Sequence, residues 1–197
     1  LSPRRRLQLQ RLQGTVDVFH RMIPIQHAYR LGRLQAGPAD EPLAELQWDM
    51  EMIHATSDGS YRKQLGDPGV RVGILDTGVD GKHPDIAPNF DAALSRNFVT
   101  DMHDIDGSPF GDPGPCEVEP SCVDPVDADD NGHGTHVAGT IGAALNGLGI
   151  AGIAPKVTLV NIRAGQDSGF FFLQPSVDAL TYAADSGIDV VNMSYYI

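Results

Sequence analysis

The chain has 197 residues, with 14 lysines and arginines against 26 aspartates and glutamates, a formal charge of −12. That balance excludes a protein that binds duplex nucleic acid through its overall field, and no run of 18 apolar residues exists to cross a membrane as a helix. Hydrophobic residues at 41 % and 22 glycines place it among globular chains that bury a core, at a length that suits one domain or part of a larger one.

Residues 1–35 carry seven arginines and a single acid, Asp17, so the remaining 162 residues are more acidic than the total suggests. Leu7, Leu9, Leu12 and Val16 in this stretch hold neither helical nor strand spacing for long. We read the segment as a leader whose true beginning lies upstream, since the first residue is Leu and no secretory apolar stretch is present. The Gly/Pro-rich run Leu34–Pro42 closes it as a linker, which sets residues 1–42 apart from a domain over 43–197. Leu46, Met50 and Ile53, spaced by three and four, predict an amphipathic helix over Leu43–Ala55 with Trp48 near its middle. After the turn Gly66–Gly69, the apolar run Val70–Leu75 predicts a buried strand ending at Asp76.

Residues 101–130 hold ten acids, five prolines and no Lys or Arg, a composition that reads as an exposed loop insert. The only two cysteines, Cys116 and Cys122, lie inside it. In an oxidising compartment they close a small loop worth roughly 2 kcal/mol; in a reducing one they are free thiols. Beyond the insert, helices are predicted over His133–Leu145 and Pro175–Asp185, with Pro175 in a first turn. Strands are predicted over Val157–Ile162 and Ile188–Met193. Alternating strands and helices predict a doubly wound α/β fold, mainly parallel, with helices on both faces of the sheet.

Two features carry chemistry. Asp76 directly follows a buried strand, the position where ligand and catalytic groups gather in open parallel sheets. The run Asn131-Gly132-His133-Gly134-Thr135-His136-Val137-Ala138-Gly139-Thr140 places a histidine at a helix start. A carboxylate that orients such an imidazole makes it a general base for a nucleophile.

Ile74-Leu75-Asp76-Thr77-Gly78-Val79-Asp80, continuing to His83-Pro84-Asp85-Ile86, resembles the segment around the catalytic Asp of subtilases, the subtilisin-like serine proteases. His133 to Thr140 resembles the segment around their catalytic His. Gly152-Ile153-Ala154-Pro155 and Asp189-Val190-Val191-Asn192-Met193-Ser194 resemble the next two signatures, in the same order. The resemblance implies the N-terminal part of a secreted serine endopeptidase, made as a precursor, that acts on protein or peptide substrates. Asp76 would orient, His133 would be the base and His136 structural, with residues 1–42 the end of a propeptide or a leader. The family's Gly-Thr-Ser-Met-Ala nucleophile segment and its oxyanion Asn have no counterpart here, so we expect the 197-residue chain to be inactive alone. Its expected partners are its own propeptide or the C-terminal half of the domain.

Subtilases bind peptide as an added strand between two segments, for which Ser168-Gly169-Phe170 and Ser194-Tyr195-Tyr196 are the matching stretches. Tyr195-Tyr196 departs from the Leu-Gly-Gly usual after that Ser. The resemblance also implies a structural Ca²⁺, with Asp85 and Asn146 at ligand places and oxygen donors suited to a hard cation. Four other readings are weaker. Asp127–Gly132 matches half an EF-hand loop but has Ala138 where the bidentate Glu is required; His133 and His136 lack a third zinc ligand. Asp76-Thr77-Gly78 as an aspartic-protease signature lacks a second copy and gives His133 no role. A non-catalytic pseudoprotease or peptide-binding module would keep the cleft without the nucleophile.

Overall fold

A computed structural model describes residues 38–99 and 124–195. Most of the leader, the bulk of the acidic insert with Cys116 and Cys122, and Tyr196 lie outside the described residues. Four strands, β1 (Arg71–Ile74), β2 (Arg96–Asn97), β3 (Thr158–Arg163) and β4 (Val190–Asn192), form one parallel sheet in the order β2-β3-β1-β4. The helices are α1 (Trp48–Met52), α2 (Ser60–Lys63), α3 (His133–Gly142) and α4 (Leu173–Asp185).

Alternation along the strands decides which helix covers which face. Val72, Ile74 and Leu159 pack with Ala138 of α3, and with Val137 and Ile141 at its margin. Leu75, Val160 and Ile162 pack with Ala179 and Ala183 of α4. Neighbouring residues of a strand point to opposite sides, so the two clusters are the two faces of one sheet buried by helices. The predicted α/β fold with helices on both faces is therefore present. The connection from β3 through α4 crosses to the far side of β1, and Asp76 follows β1 at this reversal of winding, where a crevice opens at the strand ends.

Several predicted elements change on inspection. The helix expected over 43–55 is a 3-10 turn at Ala44–Leu46 followed by α1, and of its three apolar markers only Met50 is buried. Leu46, Trp48 and Ile53 are exposed. The break falls at Gln47, whose side chain accepts a bond from Ala151 N–H at 3.0 Å and donates one to Ala151 C=O at 2.9 Å. A tertiary pair of bonds thus overrides the helical spacing. α3 stops three residues early because Ala144 N–H donates to Asp85 C=O and Gly152 N–H to Ala143 C=O, which lead the backbone away. β2 is two residues long, too short to show periodicity, and is held by pairing with Ile162 and Arg163.

Residues 124–130, read from sequence as part of an exposed insert, are tied down. Asp124 pairs with the fully buried Arg163 guanidinium, Asp127 with Lys82 at 2.7 Å, and Val126 C=O accepts from Asn161 Nδ2 at 2.9 Å. The buried cation in β3 supplies the reason: Arg163 also pairs with Asp167 at 2.7 Å and donates from Nε to Gly165 C=O at 3.0 Å. A buried charge persists only when paired.

Candidate active site

Asp76 and His133 meet across 57 residues of sequence. His133 Nδ1 lies 2.8 Å from Asp76 Oδ1, which also accepts the Thr77 N–H at 2.7 Å. The Asp76 C=O accepts from Ala164 and Gly165 N–H at 3.1 and 3.0 Å, pinning the end of β1 to the end of β3. Asp76 is 0 % exposed, whereas the His133 side chain is 50 % exposed. The carboxylate therefore acts on the imidazole in a water-poor setting, while the other side of the ring faces the cleft. His136 lies on the exposed side of α3.

The approach of α3 to β1 depends on glycine. A Cβ on Gly134 would sit 2.1 Å from the Gly78 C=O and 3.0 Å from the Asp76 Cβ. The helix N-cap, Gly132, has φ +88° and no side chain to cap with. The first-turn N–H groups find acceptors elsewhere: His133 N–H at Asn131 Oδ1 (3.3 Å), Gly134 N–H at Thr77 Oγ1 (3.0 Å) and Thr135 N–H at Asp129 Oδ2 (2.8 Å).

A cleft of about 560 Å³ opens beside the imidazole, lined by Thr77, Asn131, His133, Gly169, Phe170, Phe171, Ser194 and Tyr195. It brings Gly169, Phe170, Ser194 and Tyr195 together with His133. Ser168 is not part of the lining; its hydroxyl bonds Gln166 Oε1 at 3.3 Å. The segment doubles back through Gly169 (φ +84°), with Gln166 N–H donating to Phe170 C=O at 2.9 Å. Tyr195 does not hang free in the cleft. Its ring stacks on Phe171, centroids 3.7 Å apart and planes at 9°, and both pack against the α4-side core. Ser194 Oγ donates to Asn192 Oδ1 at 2.7 Å.

Phe171 and Asn131 line the cleft although neither was assigned to it from sequence: Phe171 is one of three consecutive phenylalanines, and Asn131 stands in the run that opens the histidine helix. Asn131 Nδ2 donates to Asp167 C=O at 2.7 Å, linking the histidine turn to the loop across the cleft. Burial pushes the Asp167 carboxyl above its ordinary range; the Arg163 charge opposes this, and Asp124 and Asp130 add to it.

Asp85 and Asn146 also come together, away from the cleft. Asp85 Oδ2 accepts from Ile150 N–H at 3.2 Å, and Asn146 Nδ2 donates to Pro84 C=O at 2.9 Å. A third group was not anticipated: Glu41, placed in the linker by sequence, is buried and accepts from Gly147 N–H at 3.2 Å. Nothing local signals it, because its partner loop lies 106 residues away. Asp85 Oδ1 and Glu41 Oε2 are buried without a hydrogen-bond partner. Burial drives both carboxyls above their ordinary range, and the charge of Asp85 adds to the rise at Glu41. Two orphaned carboxylate oxygens are donors of the kind a hard divalent cation takes, on carboxylates whose other oxygens accept loop N–H groups from Gly147 and Ile150.

Without such a cation the pair gives a defined pH dependence. Raised folded values mean that the folded chain holds these protons to a higher pH than the unfolded chain does. Stability then falls as pH rises from the ordinary carboxylate range through the raised values. In chelator, the melting temperature is expected to drop as pH rises above the ordinary carboxylate range, and to drop less in Glu41→Gln/Asp85→Asn. An equal drop in that variant would show that the two carboxyls are not its source.

Residues 67–196 match the Subtilase family. The chain is 34 % identical over 157 residues to halolysin of Haloferax mediterranei, covering 79 % of this chain and 26 % of that protein. It is 32 % identical over 155 residues to the intracellular serine protease of Paenibacillus polymyxa, covering 79 % of this chain and 40 % of that protein. A crystal structure of a lanthipeptide protease superposes with a TM-score of 0.54 at 24 % identity, over 83 % of this chain and 40 % of the other, a likeness of fold. The match thus spans a quarter to two-fifths of the length of these two relatives.

Proposed function

The chain belongs to the subtilase family, and from that membership we propose that it supplies the Asp and His of a serine endopeptidase triad whose nucleophile lies in a further segment. The 2.8 Å contact between His133 Nδ1 and the buried Asp76 carboxylate carries this reading. The carboxylate holds the Nδ1–H tautomer, leaving Nε2 to take the proton of a serine hydroxyl, and it stabilises the imidazolium that then forms. His133 next returns that proton to the leaving amine, and the acyl-enzyme is hydrolysed by water. Peptide substrate would lie in the cleft between Gly169–Phe170 and Ser194–Tyr195.

A fluorophosphonate probe is expected to label a longer protein that continues this chain into a Gly-Thr-Ser-Met-Ala-type segment, and to leave the 197-residue chain unlabelled. Labelling of the 197-residue chain would overturn the assignment of the nucleophile to another segment.

The proposed cofactor is a structural Ca²⁺ held by Glu41, Asp85 and the loop that contains Asn146. It would neutralise two desolvated carboxylates and fasten the segment around Glu41 to the end of α3. The orphaned oxygens support this reading. At 100-fold excess over its dissociation constant, Ca²⁺ would stabilise the chain by about 2.7 kcal/mol. A rise in melting temperature with Ca²⁺ that is abolished in Asp85→Asn is the expected result; no rise in the wild-type chain would remove the metal. An extracellular setting, where such sites bind at millimolar Ca²⁺, and synthesis as a precursor complete the proposal.

A further inference from the structure

We propose that Asp129 is a positioning residue for the Asp76–His133 pair, touching neither of them but setting the distance between them. Its carboxylate accepts four hydrogen bonds. Oδ1 takes Thr77 Oγ1–H at 2.9 Å and Gly132 N–H at 3.0 Å; Oδ2 takes Thr135 N–H at 2.8 Å and Thr135 Oγ1–H at 2.6 Å. Thr77 adjoins Asp76 at the end of β1, and Gly132 and Thr135 bracket His133 on the first turn of α3. One carboxylate therefore clamps the strand end to the helix start.

The clamp is needed because the helix start holds itself poorly. Gly134 is required for close approach and Gly132 for its φ of +88°, and neither offers a side chain to pack. The two hydroxyls that Asp129 recruits are thereby oriented to accept in turn: Thr77 Oγ1 from Gly134 N–H at 3.0 Å, and Thr135 Oγ1 from Asp80 N–H at 2.9 Å. A negative charge here also favours the positive end of the α3 dipole. Without Asp129, both hydroxyls are free to rotate, and of the bonds at the first turn the one from Gly134 N–H then ends on an unfixed Thr77 hydroxyl, beside the long 3.3 Å bond from His133 N–H to Asn131.

Asp129→Asn is a sharp variant. Each carboxylate oxygen accepts a backbone N–H, so either orientation of the amide sets its NH₂ against a donor and costs at least one bond. The inference rests on the pairing of Asp76 with His133, so its readout is the tautomer of His133, obtained from imidazole ¹⁵N shifts in the 197-residue chain. A role in stability alone would lower the melting temperature and leave the tautomer unmoved.

In the wild-type chain the Nδ1–H tautomer should dominate, and in Asp129→Asn the ratio of tautomers should fall about tenfold, the scale of one lost hydrogen bond. Thr135→Val should move it in the same direction and Thr135→Ser should restore it. Asp127→Asn, on the same loop but paired with Lys82, should leave it unchanged. If Asp129→Asn fails to fold, Thr135→Val decides. A wild-type preference that survives in Asp129→Asn or Thr135→Val overturns the role of Asp129 alone, whereas a wild-type imidazole with no such preference overturns the Asp76–His133 pairing and this inference with it.

Discussion

Replacing Asp76 by Asn, in a longer protein that carries the nucleophile, is expected to lower kcat by about 10⁴-fold, the scale on which triads depend on their orienting carboxylate. The geometry says why. Asp76 is wholly buried and its Oδ1 is fixed by Thr77 N–H, so an Asn oxygen can keep that place and still accept from His133. What disappears is the negative charge, and in a buried site this charge is what stabilises the imidazolium formed during attack. The amide nitrogen would then occupy the position of Oδ2, buried without a partner, and the flipped amide would set NH₂ against both Thr77 N–H and Nδ1–H, so either orientation leaves a buried N–H without an acceptor.

His133→Ala removes the base itself and should cost about 10⁶-fold. The double variant should lose no more than His133→Ala, because residues that act as one unit are not additive. Steady-state kinetics on a peptide anilide give all three numbers. Multiplicative losses in the double variant would show that the two side chains work separately, which the 2.8 Å contact denies.

Gly134→Ala should be a strongly damaging small substitution at the site. The added methyl would meet the Gly78 C=O at 2.1 Å, and that carbonyl belongs to a turn with φ +142° whose own Cβ position is blocked by Ala128 C=O at 2.5 Å. Neither side of the contact is a flexible side chain. The helix must therefore retreat from the strand end, breaking the Gly134–Thr77 bond and drawing His133 away from Asp76. Overpacking of this kind costs about 3 kcal/mol, or a fall of about 10 °C in a domain of this size. Thermal melts together with the His133 tautomer test both consequences. Gly139→Ala on the same helix, where the nearest atom to a new Cβ is 3.8 Å away, should leave both nearly unchanged. A stable Gly134→Ala chain with its tautomer intact would show that the helix does not need this approach.

The two substitutions bear on how much was legible before folding. Asp76 was readable because a strand of buried residues must end somewhere, and a polar residue at that end of a parallel strand faces the crevice. His133 was readable because Gly, His and small residues in succession mark a helix start that packs closely. Both signals are local. Ser194 and Gly169 came from family pattern, and they share a cleft with His133 only because α4 returns the chain to the opposite side of β1.

Glu41, Arg163 and Asp129 show the other side of the division. Glu41 stands in a Gly/Pro stretch, and its partner loop is 106 residues away. Arg163 ends an apolar strand as a cation shared by two separated carboxylates, Asp124 and Asp167. Asp129 counted in the sequence as one of ten acids in an insert, indistinguishable in type from its neighbours. By itself the sequence determined the alternation of strands and helices, the position of Asp76 at a strand end and that of His133 at a helix start, since each depends on periodicity or on residues a few positions apart. Only the tertiary structure decided which acids are solvated and which are clamps, pairs or candidate ligands. That assignment depends on burial and on hydrogen-bond partners brought together by strand crossovers, and no spacing along the chain encodes it.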